Sequence, residues 1–123
     1  MLCDSNILIY AAESNAMNLD FYLQHPQACI ASITRIEVLG FPGFARLGLS
    51  RQNKLQQIVA SLTELPLDDM IIKRAIMLRQ QRKMSLGDAI IAATALVFDL
   101  SLVTCNYDDF KHITDLHIIN PMN

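Results

Sequence analysis

Leu86-Gly87-Asp88-Ala89-Ile90-Ile91-Ala92-Ala93-Thr94-Ala95-Leu96-Val97-Phe98-Asp99 is apolar on nearly every side of a helix and keeps its two charges near its ends. A surface helix shows one apolar stripe, whereas a helix apolar all round has to be covered on all sides. This segment therefore predicts a central buried helix. The ten residues Ala89 to Phe98 carry no charge but are too few to span a bilayer. What covers such a helix is read from the segments on either side of it.

Directly after it, Ser101 to Cys105 reads as a strand, Asp108 to Ile113 as a short helix, and His117-Ile118-Ile119 as a closing strand before Pro121. Before it, Asp68 is placed to cap a helix with Ile71, Ile72, Ala75, Ile76 and Leu78 inside and Lys73, Arg74, Arg79 and Arg82 mostly outside. Thr63 to Leu67 reads as a strand, and the spacing Leu55, Ile58, Val59, Leu62 makes Ser50 to Leu62 helical. Ala28-Cys29-Ile30-Ala31 is a buried strand. Ser32 and Thr34 then offer caps for a helix carrying Ile33, Ile36, Val38 and Leu39 and ending near Gly40, Pro42 and Gly43. The chain opens with Met1 to Asp4 as a strand end, a polar cap at Asp4-Ser5-Asn6, and a helix over Ile7 to Ala12. Strands that read as continuous apolar runs and alternate with helices predict an α/β class: a three-layer α/β/α sandwich around a mostly parallel sheet of four to five strands.

At 123 residues the expectation is a single domain, 1–123, able to bury roughly two-thirds of the surface its unfolded chain exposes. The composition, 52% hydrophobic and 18% charged with 4 Gly and 4 Pro, excludes a disordered chain. Cys3, Cys29 and Cys105 are odd in number, far apart and set in apolar runs, which suits buried thiols in a reducing compartment. With no basic flank or cleavage site of a signal peptide, the expected location is the cytoplasm and no membrane partner is expected. A net charge of -2 argues at first against a nucleic-acid partner. If four of the twelve acids hold metal, however, the other eight face ten bases, and the remaining surface is about neutral to slightly basic.

Ligands of open parallel sheets bind beyond the carboxyl ends of the strands. Asp4 closes the first strand, Glu37 lies one helical turn past the second, Asp88 starts the buried helix, and Asn106, Asp108 and Asp109 follow the strand ending at Cys105. Taken singly, each acid has an ordinary reading. Asp4 can merely cap a helix, Asp88 can be a first-turn acid favoured by the helix dipole, and Asp109 can be a solvated loop acid. Glu37 resists that treatment, because its neighbours place it on or beside the face expected to enter the core, where a lone carboxylate is costly unless paired or metal-bound. Between the adjacent Asp108 and Asp109, a helix begun at Asn106 or Tyr107 turns residue 109 toward the sheet edge and residue 108 about 100° away, in line with Lys111 and His112.

Leu2-Cys3-Asp4-Ser5-Asn6, Ser32-Ile33-Thr34-Arg35-Ile36-Glu37 before Gly40, Gly87-Asp88-Ala89-Ile90-Ile91-Ala92-Ala93, and Val103-Thr104-Cys105-Asn106-Tyr107-Asp108-Asp109-Phe110 together resemble the four motifs of PIN domains. The order and spacing match over essentially the whole chain, down to Asn120-Pro121, and the resemblance is strongest to the VapC toxins of type II toxin-antitoxin pairs. It implies a Mg²⁺- or Mn²⁺-dependent endoribonuclease with Asp4, Glu37, Asp88 and Asp109 as the acidic, metal-holding cluster. Ser5, Asn6 and Asn106 match the supporting polar positions. It also implies an RNA substrate and a cognate antitoxin protein as partners. Two departures are visible: Ser5 stands where Thr is usual, which keeps the hydroxyl, and Cys3 where an aliphatic residue is common.

Mean hydropathy of +0.28 on so short a chain leaves apolar surface for association, and a homodimer is expected. His25, His112 and His117 lack zinc-site spacing and read as surface or edge residues. Arg46, Arg51, Lys54, Arg82 and Lys83 lie in or near expected loops, where an RNA backbone would find them but where solvated charges are ordinary. An aspartyl-nucleophile hydrolase would need a second acid at position 6, where Asn6 stands. A response-regulator receiver would need an acidic pair in the first loop and a phosphoacceptor Asp ending its middle strand, and neither pattern is evident. The remaining alternative is a non-catalytic PIN-like module that binds RNA or protein, which the presence of all four acids disfavours.

Overall fold

The computed structural model describes residues 1–13 and 17–121. Five parallel strands form one sheet: β1 (Leu2–Cys3), β2 (Cys29–Ala31), β3 (Thr63–Leu65), β4 (Leu102–Val103) and β5 (Ile118–Ile119), in the order β3-β2-β1-β4-β5. Among the described residues seven α-helices accompany them: α1 (Ser5–Ala12), α2 (Met17–Leu23), α3 (Ser32–Leu39), α4 (Leu49–Ser61), α5 (Asp69–Gln81), α6 (Leu86–Val97) and α7 (Tyr107–Phe110).

Alternation along each strand divides the interior in two. Leu2, Cys29, Ala31 and Leu102 face a core shared with α5, α6 and Phe110. Cys3, Ile30 and Val103 face the other core, filled by Ile7, Leu8, Leu19, Val38, Leu55 and Val59. The inner strands β1, β2 and β4 are therefore covered on both faces and read as unbroken apolar runs, while the edge strands β3 and β5 are only partly buried. The three-layer α/β/α sandwich expected from the sequence is the fold observed. Helix α6 is buried as its composition demands, with Ala89 through Ala95 inside. Its run of alanines lets α5 and the sheet approach closely.

The strands are shorter than their apolar runs, since Leu67, Ser101 and Cys105 fall outside them. Asp68 caps α5 as expected, accepting from the Ile71 N–H at 2.9 Å. The expected caps of α3 are not used. Ala31 occupies the cap position without a side-chain bond, the Ser32 hydroxyl donates instead to Glu64 at 2.6 Å, and Thr34 is buried in the helix interior. The core face of α3 is set by its packing against α1, α4 and α6, which selects Thr34 and Val38 and turns Ile36 outward at 64% exposure. On α5 the buried stripe is Ile71, Ala75 and Leu78 alone; Ile72 and Ile76, expected inside, lie on one exposed flank and Met70 and Met77 on the other. Helix α2 has no counterpart in the sequence reading, because its buried Leu19 and Leu23 are one i, i+4 pair, too sparse a pattern to register.

Close packing around α6 makes a local test. Ala92→Leu inserts three carbons into a site at 0% exposure and should lower stability by about 1–3 kcal/mol. Ile36→Ala, on the exposed flank of α3, should leave the melting temperature nearly unchanged; thermal denaturation of the two variants checks the ranking.

Candidate active site

The strand order reverses around β1, so the crevice at the carboxyl ends of β1 and β4 is the topological switch point where open parallel sheets bind ligands. Asp4 stands in it. The chain leaves β1 at Asp4, whose backbone N–H is still tied to the Val103 carbonyl at 3.0 Å. The side chain then accepts from Ser5 N at 2.7 Å to cap α1, and its second oxygen accepts from the Thr104 hydroxyl at 2.8 Å. Asp4 thus performs the ordinary capping role and occupies the crevice as well. It is the only one of the candidate acids that is buried, at 4% exposure.

The other three reach the crevice from separate elements. Glu37 projects from the second turn of α3, and its Oε1 accepts from the Ser5 hydroxyl at 2.6 Å. Asp88 lies in the first turn of α6, where its backbone N–H donates to the capping Ser85 hydroxyl at 3.1 Å. Asp109 lies in α7, its N–H bonded to the Asn106 carbonyl. Asp108 faces away on the same short helix, in an ion pair with Lys111 at 3.1 Å.

Burial is the first cause that raises the Asp4 pKa above the ordinary 3.8. The Thr104 and Ser5 hydrogen bonds oppose it, and the charges of Glu37 and Asp109 add to it. Asp88 is raised for the same leading reason, then by the charge of Asp4, with a Ser85 hydrogen bond opposing and Asp109 adding. The four candidate acids therefore form one electrostatic group centred on Asp4. Among the described residues the ion pairs join Arg35 to Glu64, Lys73 to Asp69 and Lys111 to Asp108, so no Lys or Arg offsets any of the four.

Four oxygen donors with no basic partner among the described residues are of the type that suits a hard divalent cation. Asp4, Glu37, Asp88 and Asp109 would hold it. Among the described residues no three His, Cys, Asp or Glu side chains are grouped closely enough to hold an ion as they stand. The fit rests on the donor chemistry and the uncompensated charge.

Of the supporting positions, Ser5 bonds Glu37 as described. Asn106 is half-buried, with its N–H donating to the Thr104 hydroxyl at 3.0 Å, and Asn6 is half-buried in the first turn of α1. Glu37 corrects its sequence reading: it is exposed at the crevice rim, because the core face of α3 is Thr34 and Val38. Arg51 and Lys54 lie on α4, within the helix expected from the sequence. His112 is half-buried, and both its ring nitrogens are buried without a hydrogen-bond partner. Cys3 is no candidate ligand, since burial pushes its thiol up to about 12.

Two residues at the crevice escaped the sequence reading. Thr104 leaves β4 as Asp4 leaves β1, and the pairing of Cys3 with Val103 makes them neighbours. Its signal was a hydroxyl directly after a buried strand. Gly87 lies against Glu37, and its signal was a glycine inside an otherwise strong helix, where it costs about 1 kcal/mol relative to Ala.

A doubly wound parallel sheet with an uncompensated acid cluster at its switch point defines an α/β protein built around an oxygen-donor site. The PIN domain family matches residues 1–116, and the chain belongs to that family. A chain in the structure of a toxin-antitoxin complex from Klebsiella pneumoniae is 31% identical, with a TM-score of 0.79 over 98% of this chain and 96% of that one. The fold is shared with chains in two VapBC structures: VapBC2 from Rickettsia felis bound to a DNA fragment from its promoter (23% identity, TM-score 0.79, 97% and 96% covered) and VapBC-1 from nontypeable Haemophilus influenzae (21%, 0.77, 99% and 98%). No curated protein matches. The PIN resemblance carried by the four motifs thus holds over nearly the whole chain. Among the described residues no helix is long and apolar enough to cross a membrane.

Because the folded Asp4 and Asp88 pKa values lie above their unfolded ones, the native state binds more protons than the unfolded chain between those values. Stability then falls as pH rises through that window. In chelator, the melting temperature should climb as pH is lowered from neutrality toward the ordinary carboxylate range, and Asp4→Asn should flatten the climb. A wild-type profile that falls on such acidification would contradict the assignment.

Proposed function

We propose that this chain is a divalent-metal-dependent endoribonuclease, one PIN-like nuclease domain over 1–123, and the VapC-like toxin of a type II toxin-antitoxin pair in the cytoplasm. The observation that carries the reading is the convergence of Asp4, Glu37, Asp88 and Asp109 from four chain segments on one crevice, with no Lys or Arg paired to them among the described residues. A structural role would pair such charges. Uncompensated, they serve as ligands and supporting charges for a cation.

Bound there, Mg²⁺ or Mn²⁺ would lower the pKa of a coordinated water and offset charge on the scissile phosphate and leaving oxygen. Asp4, fixed by Thr104 and by the start of α1, is the most rigid of the four. Ser5 orients Glu37 toward the same crevice. Asn106 buttresses Thr104 and starts the turn that presents Asp109. Tyr107, at the start of α7, is exposed, and its ring is of the kind on which an unpaired base can stack.

The relative from Klebsiella pneumoniae, solved as a toxin-antitoxin complex, supports an antitoxin as partner. The exposed Met70, Ile72, Ile76 and Met77 of α5 supply apolar surface consistent with a homodimer.

EDTA should abolish cleavage of RNA by the purified protein, and Mg²⁺ or Mn²⁺ should restore it; full activity in chelator would sink the metal reading. Glu37→Gln should keep the fold and lose cleavage, with stability in chelator unchanged or raised, since crowding of like charges is relieved.

Asp109 and Asp108 separate the functional acid from its neighbour. Asp109→Asn should reduce the cleavage rate at saturating Mg²⁺ by at least roughly ten- to hundredfold. Asp108→Asn, which only breaks an exposed ion pair with Lys111, should change it little. The reverse ranking would reassign the fourth acid.

A further inference from the structure

Gly87 occupies the second position of α6, next to Asp88, in a helix otherwise rich in alanine and isoleucine. Its backbone is not in the left-handed region, so any side chain could be accommodated there on conformational grounds. Glu37 stands in the way. A Cβ at this position would have three Glu37 atoms as its nearest neighbours, Oε2 at 2.6 Å, Cδ at 3.4 Å and Oε1 at 3.8 Å. The first separation is shorter than real Cβ atoms tolerate. The carboxylate of Glu37 therefore fills the volume that a side chain at 87 would take, while the Ser5 hydroxyl holds its other oxygen at 2.6 Å.

We infer that Gly87 is a positioning residue: its missing side chain creates the seat in which the Glu37 carboxylate lies, with Ser5 closing the opposite side. The reading rests on the proposed function for what Glu37 does, but the seat itself is a property of the packing of α3 against α6. Gly87 lies in the first turn of α6, where alanine is the better helix former by less than the interior penalty. What stands nearest is the flexible end of Glu37. Alanine would be accepted by the helix and would push Glu37 off Ser5.

The test uses Mn²⁺ alone as the probe, titrated calorimetrically into wild type, Gly87→Ala, Glu37→Asp and the double variant, with melting temperatures in chelator. Gly87→Ala should melt at or above the wild-type temperature yet bind Mn²⁺ roughly ten- to hundredfold more weakly, the effect of disturbing the support of a metal site. Glu37→Asp should weaken Mn²⁺ binding when Gly87 is intact but strengthen it in the Gly87→Ala background, because the shorter side chain withdraws from the added methyl. A folded Gly87→Ala with wild-type Mn²⁺ affinity would overturn the inference.

If wild type itself binds no Mn²⁺, the functional reading fails, and the seat is judged by melting temperature alone. Ser5→Ala should then lower it when Gly87 is intact and have little effect in the Gly87→Ala background; equal losses in both backgrounds would overturn the seat. Should Gly87→Ala not fold, Glu37→Ala is added to it. Restored folding upholds the contact between residues 87 and 37, and continued failure overturns it.

Discussion

Burial of the Asp4 carboxylate at the switch point of the sheet is the constraint on which the rest of the site depends. A carboxylate at 4% exposure is costly to ionise, and its surroundings lower that cost only in part. Thr104 and the first N–H of α1 each donate to it, while the nearest charges are of its own sign. Burial and like charge thus raise its pKa, and only the two hydrogen bonds oppose the rise. The same residue caps α1 and follows the strand paired with β4, so the element that begins the fold also forms the centre of the site.

From Asp4 the arrangement spreads through short, directional contacts. Ser5, the next residue, donates its hydroxyl to Glu37 and so links the first turn of α1 to the second turn of α3. Thr104 accepts from Asn106 N while donating to Asp4, which links the end of β4 to the turn that starts α7. Gly87 brings α6 against Glu37, and the neighbouring Asp88 comes with it. Each acid is thereby placed by an element whose own position is set by one of the two apolar cores. The crevice itself owes little to apolar packing, and its geometry is the sum of the helix starts around it. The result is an apolar frame with oxygen donors at its open edge.

Three features were legible in the sequence because each is written in local chemistry. A helix apolar on all sides could only be α6, buried among α5, the sheet and α3. Strands apolar on both faces required a parallel sheet covered on both sides. Carboxylates at strand ends and helix starts marked one edge of that sheet, and on the short helix α7 Asp108 pairs with Lys111. What was read wrongly depended on neighbours distant in sequence. Ile36, Ile72 and Ile76 are apolar residues left exposed, because the faces of α3 and α5 are chosen by the helices they meet, and periodicity alone cannot say how wide the covered stripe will be.

By itself, then, the sequence determined the alternation of elements, the two-sided burial of the strands and the set of acids available at one sheet edge, since propensity, apolar period and chain order all act over a few residues. Only the tertiary structure decided which oxygen meets which donor. Thr104 reaches Asp4 across 100 positions because β1 and β4 pair in register, and Glu37 leaves the core face for the crevice rim because α3 packs through Thr34 and Val38. Gly87 acquires its meaning only when α6 is set against α3, for a missing Cβ has no consequence until another side chain occupies its place. These are steric and electrostatic facts between segments far apart in the chain, and no local pattern encodes the distance between them.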